Sequence, residues 1–225
     1  MQDVCLKDVF MLFIIYSVFG WLMEVTLVSI RNKKLTPRGF LIGPWCPIYG
    51  WGGILIYLLL EKYHNDPIAL FVMSFLIGSI VEYFTSYIME KLFHARWWDY
   101  SDHKYNINGR ISLETSLGFG ALGTIAVYFV NPLIIDLLNK IPSHIFLIMN
   151  IVIAILFITD SIISLKLVSS IKNAKFQKFK DSTQKVDELV KEKLKETKLG
   201  KRLVNAFPNL KIKIDEIKKE IKEIK

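Results

Sequence analysis

The chain has 225 residues, 52% of them hydrophobic, and a formal net charge of +8. The apolar residues crowd into positions 1–165, where the net charge is −1, while positions 166–225 carry +9, so the positive total belongs to the C-terminal part alone. That distribution excludes an ordinary soluble domain, and two cysteines, Cys5 and Cys46, exclude a disulfide framework.

Five apolar runs follow in order, at about 9–30, 41–60, 68–93, 111–130 and 144–165. Each is close to the ~20 residues a helix needs to cross a bilayer. The first has no basic region before it and no small-residue cleavage pattern, and it reads as a retained span. The second opens GPWCPIYGWGG, with Pro44 and Pro47 among Gly43, Gly50, Gly52 and Gly53. Proline removes amide donors and glycine weakens helix interiors, so a broken or re-entrant start is expected, with the helix resuming near Pro47 or Ile48. A helix kinked and packed through its glycines is the alternative.

The loops at 31–40 and 94–110 carry Arg31, Lys33, Lys34, Arg38, Arg96, Lys104 and Arg110, whereas 61–67 and 131–143 carry only Lys62 and Lys140. Basic loops stay in the cytoplasm, and the basic tail joins them only if the number of spans is odd. The expected fold is therefore all-α: a polytopic membrane helix bundle of about five transmembrane helices over 1–165, N-terminus outside, with a basic amphipathic helical tail at 166–225 in the cytoplasm. This topology places Cys5 and Cys46 toward opposite faces, where no disulfide can join them.

Glu24, Glu82, Glu114 and Asp160 fall inside the apolar runs, roughly 6–18 Å below the cytoplasmic surface at 1.5 Å per residue. A carboxylate there costs about 2.5–3.5 kcal/mol on insertion scales, and its default reading is a functional site. Small or polar residues share their faces: Gly78, Glu82, Ser86 and Glu90 recur every four positions, as do Gly20 and Glu24, Glu114 and Gly118, and Asp160 and Ser164. That pattern suits an interhelical seam. Acids near helix ends also snorkel or pair with Arg38 or Arg110, an alternative open for Glu90 and Asp160. Trp97 and Trp98 read equally well as an interfacial belt, and Asn108-Gly109 is first of all a turn signal.

The pathway or substrate-binding set drawn from this is Glu24, Arg38, Tyr49, Glu82, Trp98, Asp99, Tyr100, Asn106, Asn108, Arg110 and Glu114. Glu82 is expected to face a polar cavity with Arg38, Asp99, Asn106, Asn108 and Arg110 at its mouth and the Gly43–Tyr49 backbone as one wall. No catalytic residue, metal site or cofactor is read. His94 and His103 lack the spacing of a metal pair.

The tail has amphipathic spacing at Val186, Leu189, Val190 and Leu194, and a short heptad seam at Leu210, Ile214, Ile217, Ile221 and Ile224. Lysines mixed with Phe176 and Phe179 favour anionic lipid at the membrane surface, not nucleic acid. The seam is too short to stand alone as a coiled coil, which leaves homo-oligomerisation or docking on the chain's own loops.

The segments GWLMEV (20–25), PRGFLIGPWCPIYGWGG (37–53), VEYFTSYIMEKLFHARWWDYSDHKYNINGRISLE (81–114) and AFPNL (206–210) closely resemble the bacterial family labelled putative ABC-transporter type IV, the CmpB-like permeases. The chain departs from it at Pro37, where the family has asparagine before Arg-Gly-Phe. The resemblance implies a permease subunit moving a small solute or ion, and it carries over no ligand or catalytic residue. No GxxxxGK[ST] phosphate loop occurs, so an ABC mechanism requires a separate ATPase subunit. Two other readings stand beside it. One is a membrane-embedded enzyme acting on a lipid or lipid-linked substrate, with Glu82 or Glu24 as base and Arg38 and Arg110 holding a phosphate. The other is a membrane scaffold or regulator working through the tail.

Overall fold

The computed structural model describes residues 6–36, 38–93 and 96–177; Cys5, Pro37, His94 and the tail beyond Gln177, all of which carry expectations above, lie outside the described residues. The helices are α1 (Leu6–Asn32), α2 (Pro47–Leu60), α3 (Pro67–Phe93), α4 (Leu113–Ile125), α5 (Asn131–Asn139) and α6 (Ser143–Gln177). Among the described residues the strands form one antiparallel hairpin, β1 (Asn106–Ile107) and β2 (Ile111–Ser112), with Ile107 opposite Ile111. The molecule is an all-α membrane bundle, and Leu27, Ile30, Ile68, Phe129, Leu133, Ile155 and other large apolar side chains face outward, as a bilayer solvent demands.

Among the described residues four stretches are long and apolar enough to cross a membrane: Asp8–Asn32, Pro67–Leu92, Leu113–Asn139 and Ser143–Lys166. The third of these runs past the expected end at 130. A π-helical turn at Ala126–Val130 joins α4 to α5, and the Asn131 amide bonds back to the Ala126 carbonyl. The extra residue in that turn accommodates Pro132, which has no amide to donate, so the helix continues where a loop was expected.

The second span is composite. Residues 41–46 are not helical, and α2 begins at Pro47, in the first turn where proline's missing amide costs nothing. Its 14 residues reach only about 21 Å, short of the ~30 Å hydrocarbon layer. The irregular, bent segment before it supplies the remainder. It starts beside Trp21, whose indole N–H donates to the Arg38 carbonyl, and ends where the Cys46 amide donates to the Ser17 carbonyl. From Glu24, which pairs with Arg38, to Ser17 is seven residues of α1, roughly 10 Å of depth.

Backbone outside a helix at that depth has to find partners within the protein, because water is absent. Asp160 of α6 supplies them: its Oδ1 accepts from the Ile42 amide (3.1 Å) and its Oδ2 from the Gly43 amide (2.9 Å), while Ser164 Oγ accepts a second contact from Ile42 (3.2 Å). Gly43 is needed here, since a Cβ at that position would lie 2.1 Å from the Trp45 indole nitrogen and 2.9 Å from Asp160 Oδ2. Asp160 is thus a backbone cap, neither a snorkelling acid nor part of a cavity.

Packing follows from small residues. α2 runs antiparallel to α1, with Gly20 against the Tyr49 ring and Gly50 against Phe13 and Ser17. α3 and α4 form the most extensive helix pair, with Gly78 against Phe119, Gly123 against Ser74, and Ser79 Oγ donating to Ser116 Oγ (2.7 Å). Such close approaches drive helix association in lipid, where apolar contact alone gives no preference. Ile56, Leu60, Leu70 and Val127 close the end of the bundle away from the hairpin.

Removing the Asp160 carboxylate strands the Gly43 amide in an apolar environment and leaves the Ile42 amide with Ser164 Oγ alone. Asp160→Ala is expected to lower unfolding stability in detergent by about 3 kcal/mol, against about 1 kcal/mol for Ser164→Ala. Thermal denaturation of the two variants checks this, and an Asp160→Ala variant as stable as Ser164→Ala would show that the cap is dispensable.

Candidate functional site

The hairpin end of the bundle gathers the C-terminus of α1, the start of α2, the end of α3 and the start of α4. Between these four helices lies a cavity of about 410 Å³. Its hairpin end is lined by Glu24, Arg38, Tyr49, Glu82, Trp98 and Tyr100, and its deeper walls by Phe19, Ile48, Ile56, Phe119, Leu122 and Val130, with Tyr16 among them. From Glu24 to Tyr16 along α1 is about 12 Å. Glu82 lines the polar end of this cavity, and beyond that end the lining is apolar side chains and the backbone of Gly20, Gly52, Gly53, Gly78 and Gly123.

Glu82 is 5% exposed and fixed through both oxygens. Tyr100 donates its hydroxyl to Oε1 (2.9 Å), and Thr115 donates to Oε2 (3.2 Å). Glu24 is held similarly, by the Tyr49 hydroxyl on Oε1 (2.7 Å) and by Arg38 Nε 3.5 Å from Oε2. Burial, then the Glu82 carboxylate, raises the Tyr100 hydroxyl well above its ordinary range, so Tyr100 stays a donor. Trp98 lines the same end with its indole N–H committed to the Arg110 carbonyl (3.0 Å).

Six of the eleven sequence-derived residues therefore meet at the cavity, and five do not. Arg110 points to Glu90, with Nη1 2.7 Å from Oε2, and lies over the rings of Tyr83 and Tyr87. Asn106 shapes the hairpin by accepting the Gly109 amide and donating to the His103 carbonyl. Asn108 and Gly109 both adopt left-handed φ, +55° and +66°, as the tight turn closed by the Arg110 amide on the Ile107 carbonyl requires, and Asn108 donates to the Tyr83 hydroxyl. Asp99 accepts from the Ser101 amide and hydroxyl; burial pushes its carboxyl up, but these bonds and Arg96 at 3.6 Å outweigh it and hold the carboxyl below its usual range. These four build the wall that carries Trp98 and Tyr100, and none is a mouth residue.

Glu114 is the fifth. It sits in the first turn of α4 with its side chain 80% exposed and pairs with His103 Nδ1 at 3.0 Å. The expected seam through Glu114 and Gly118 faces outward, because α4 starts only at Leu113 and its helical phase turns Thr115 and Ser116 inward instead. An acid in the first turn of a helix is favoured by the dipole without any further role.

Thr115, Tyr16 and Asn131 were not legible as site residues. Thr115 belongs to the capping box that opens α4, in which Ser112 Oγ accepts its amide, and the S-x-x-T spacing is the signal that locates it. The Tyr16 hydroxyl donates to Asn131 Oδ1 across 115 positions of sequence, which no local pattern reveals. Among the described residues no three His, Cys, Asp or Glu side chains form a metal-holding group.

A family model described as Putative ABC-transporter type IV matches residues 11–165, which takes in all the cavity-lining helices. No curated protein and no solved structure matches the chain.

Replacing Glu82 by glutamine keeps a hydrogen-bonding group of the same shape and removes a costly charge, so Glu82→Gln is expected to unfold within about 1 kcal/mol of the unsubstituted protein. Arg110→Ala removes a charged hydrogen bond to Glu90 and should cost about 2 kcal/mol. Denaturation in one detergent ranks the two, and the reverse order would show that Glu82 is a structural carboxylate.

Proposed function

Because the chain belongs to the putative ABC-transporter type IV family, we propose that it is the membrane-embedded, permease-type component of a transport system and that the cavity among α1–α4 is where its small solute binds. One observation carries this reading: a nearly inaccessible carboxylate, Glu82, lines a space bounded by a broken span. Intramembrane acids mark solute pathways, and discontinuous helices at membrane depth are a device of transporters. Energy would come from a separate ATPase, for which the basic loops 31–40 and 94–110 are the docking candidates.

The enzyme reading draws on the clustering of polar groups at one end of the cavity. It needs two arginines for a phosphate, and Arg110 is engaged by Glu90 and does not line the cavity. Arg38 alone is paired with Glu24 there. The scaffold reading rests on a tail outside the described residues.

In this reading the basic loops face the cytoplasm, so the hairpin end is cytoplasmic and the N-terminus outside. Cys46 is buried, so an impermeant thiol reagent applied to intact cells should label Cys5 alone. Lack of labelling, with a tag after Lys225 accessible from outside, would invert this orientation. Purification from native membranes in mild detergent should recover an ATPase with the chain, and ATP hydrolysis by the complex should vanish when that subunit's phosphate loop is mutated. Repeated recovery of the chain alone would contradict the permease assignment.

A further inference from the structure

The polar end of the cavity does not balance its charge. It holds two carboxylates, Glu24 and Glu82, and one guanidinium, Arg38, which sits 3.5 Å from Glu24. Glu82 receives only neutral donors, the hydroxyls of Tyr100 and Thr115, and makes no ion pair among the described residues. Two hydrogen bonds from neutral groups do not offset the desolvation of a carboxylate enclosed at this depth, so it is relieved either by a proton or by a positive charge bound beside it.

The neighbouring side chains suit one kind of cation. Trp98 and Tyr100 line the same end, and both have already committed their polar hydrogens, Trp98 to the Arg110 carbonyl and Tyr100 to Glu82 itself. What they can still offer a ligand is ring surface, and rings beside a carboxylate favour an organic ammonium through its attraction to the π face. A bare metal ion would instead demand several oxygen ligands around one point. No such group of acids exists among the described residues. From Glu24 the cavity runs about 12 Å to Tyr16 with mostly apolar walls past the polar end, which suits an alkyl or ring moiety attached to the cation.

We propose that the solute of this cavity is an amphiphilic organic cation, its ammonium head set between Glu82 and the rings of Trp98 and Tyr100 and its apolar part along Phe19, Ile56 and Phe119. This rests on the reading of the cavity as the solute site and adds the chemical class of the solute. Anions are disfavoured by the surplus carboxylate, and neutral amphiphiles fit the walls but leave Glu82 without a counter-charge.

The test uses the full chain in phosphatidylcholine nanodiscs, titrated calorimetrically with octyltrimethylammonium, octanol and octyl sulfate, with empty discs subtracted. Octyltrimethylammonium is expected to bind about tenfold more tightly than octanol, and octyl sulfate more weakly than either. In Glu82→Gln the cation should fall to within about threefold of octanol, with octanol binding unchanged. Equal affinity for the cation and octanol in the unsubstituted protein would overturn the cation assignment while leaving the cavity a solute site, as expected if Glu82 carries a proton instead of facing a cation. Retention of the full preference in Glu82→Gln would remove Glu82 from the role. Binding of none of the three probes above empty discs would overturn the reading of the cavity as a solute site.

Discussion

Everything at the hairpin end depends on how the backbone between Arg38 and Cys46 is satisfied without water. A helix would satisfy its own amides, but Pro44 and Pro47 with Gly43 forbid one there, and the segment has to borrow its partners. Asp160, from the other end of the sequence, reaches across to the Ile42 and Gly43 amides, and the Ser17 carbonyl takes the Cys46 amide. With those bonds made, α2 can begin halfway down α1. That placement brings Tyr49 against Gly20 and its hydroxyl to Glu24.

The cavity is the consequence of the same geometry. A full-length second helix would fill the space beside α1 with side chains, whereas the short α2 contributes Gly52 and Gly53 to the lining. Glycines on α1, α3 and α4 hold the neighbouring backbones close without occupying the space between them. The hairpin then closes one side, since the turn at Asn108-Gly109 and the Arg110–Glu90 pair fix the carbonyls of Gly109 and Arg110 that take the Tyr100 amide and the Trp98 indole N–H. Polar residues of the 96–112 segment thus divide their work: some build the wall, and two aromatic ones face the cavity.

Much of this arrangement was legible in sequence. The all-α bundle, the break before Pro47 and the inward phase of Glu82 follow from periodicity and from the cost of proline, glycine and charge in hydrocarbon. Of the five expected spans, four are helices long and apolar enough to cross a membrane among the described residues, whereas the second is a 14-residue helix. Membership of six candidates in one site was also foreseeable, because Glu24, Arg38, Tyr49, Glu82, Trp98 and Tyr100 sit near one membrane face. Two features were not. Asp160 and Glu114 look alike as acids inside apolar runs, yet one caps a backbone break and the other is an exposed first-turn residue. Telling them apart needs the start of α4 to within one residue, and a one-residue change turns a helical side chain by about 100°. The length of the fourth span was hidden by Asn131-Pro132, which punctuates most sequences as a turn but here is absorbed by a π-helical turn.

In the transport reading Glu82 borders a cavity that admits a solute, and not a sealed structural site. This is tested most directly by electron cryomicroscopy of the full chain in nanodiscs prepared with and without an organic ammonium probe. Added density is expected between Glu82, Trp98 and Tyr100, extending along the apolar wall toward Tyr16 and absent from the Glu82→Gln variant. A cavity collapsed onto Phe119 and Tyr49, with Glu82 enclosed and no density beside it under either condition, would contradict it.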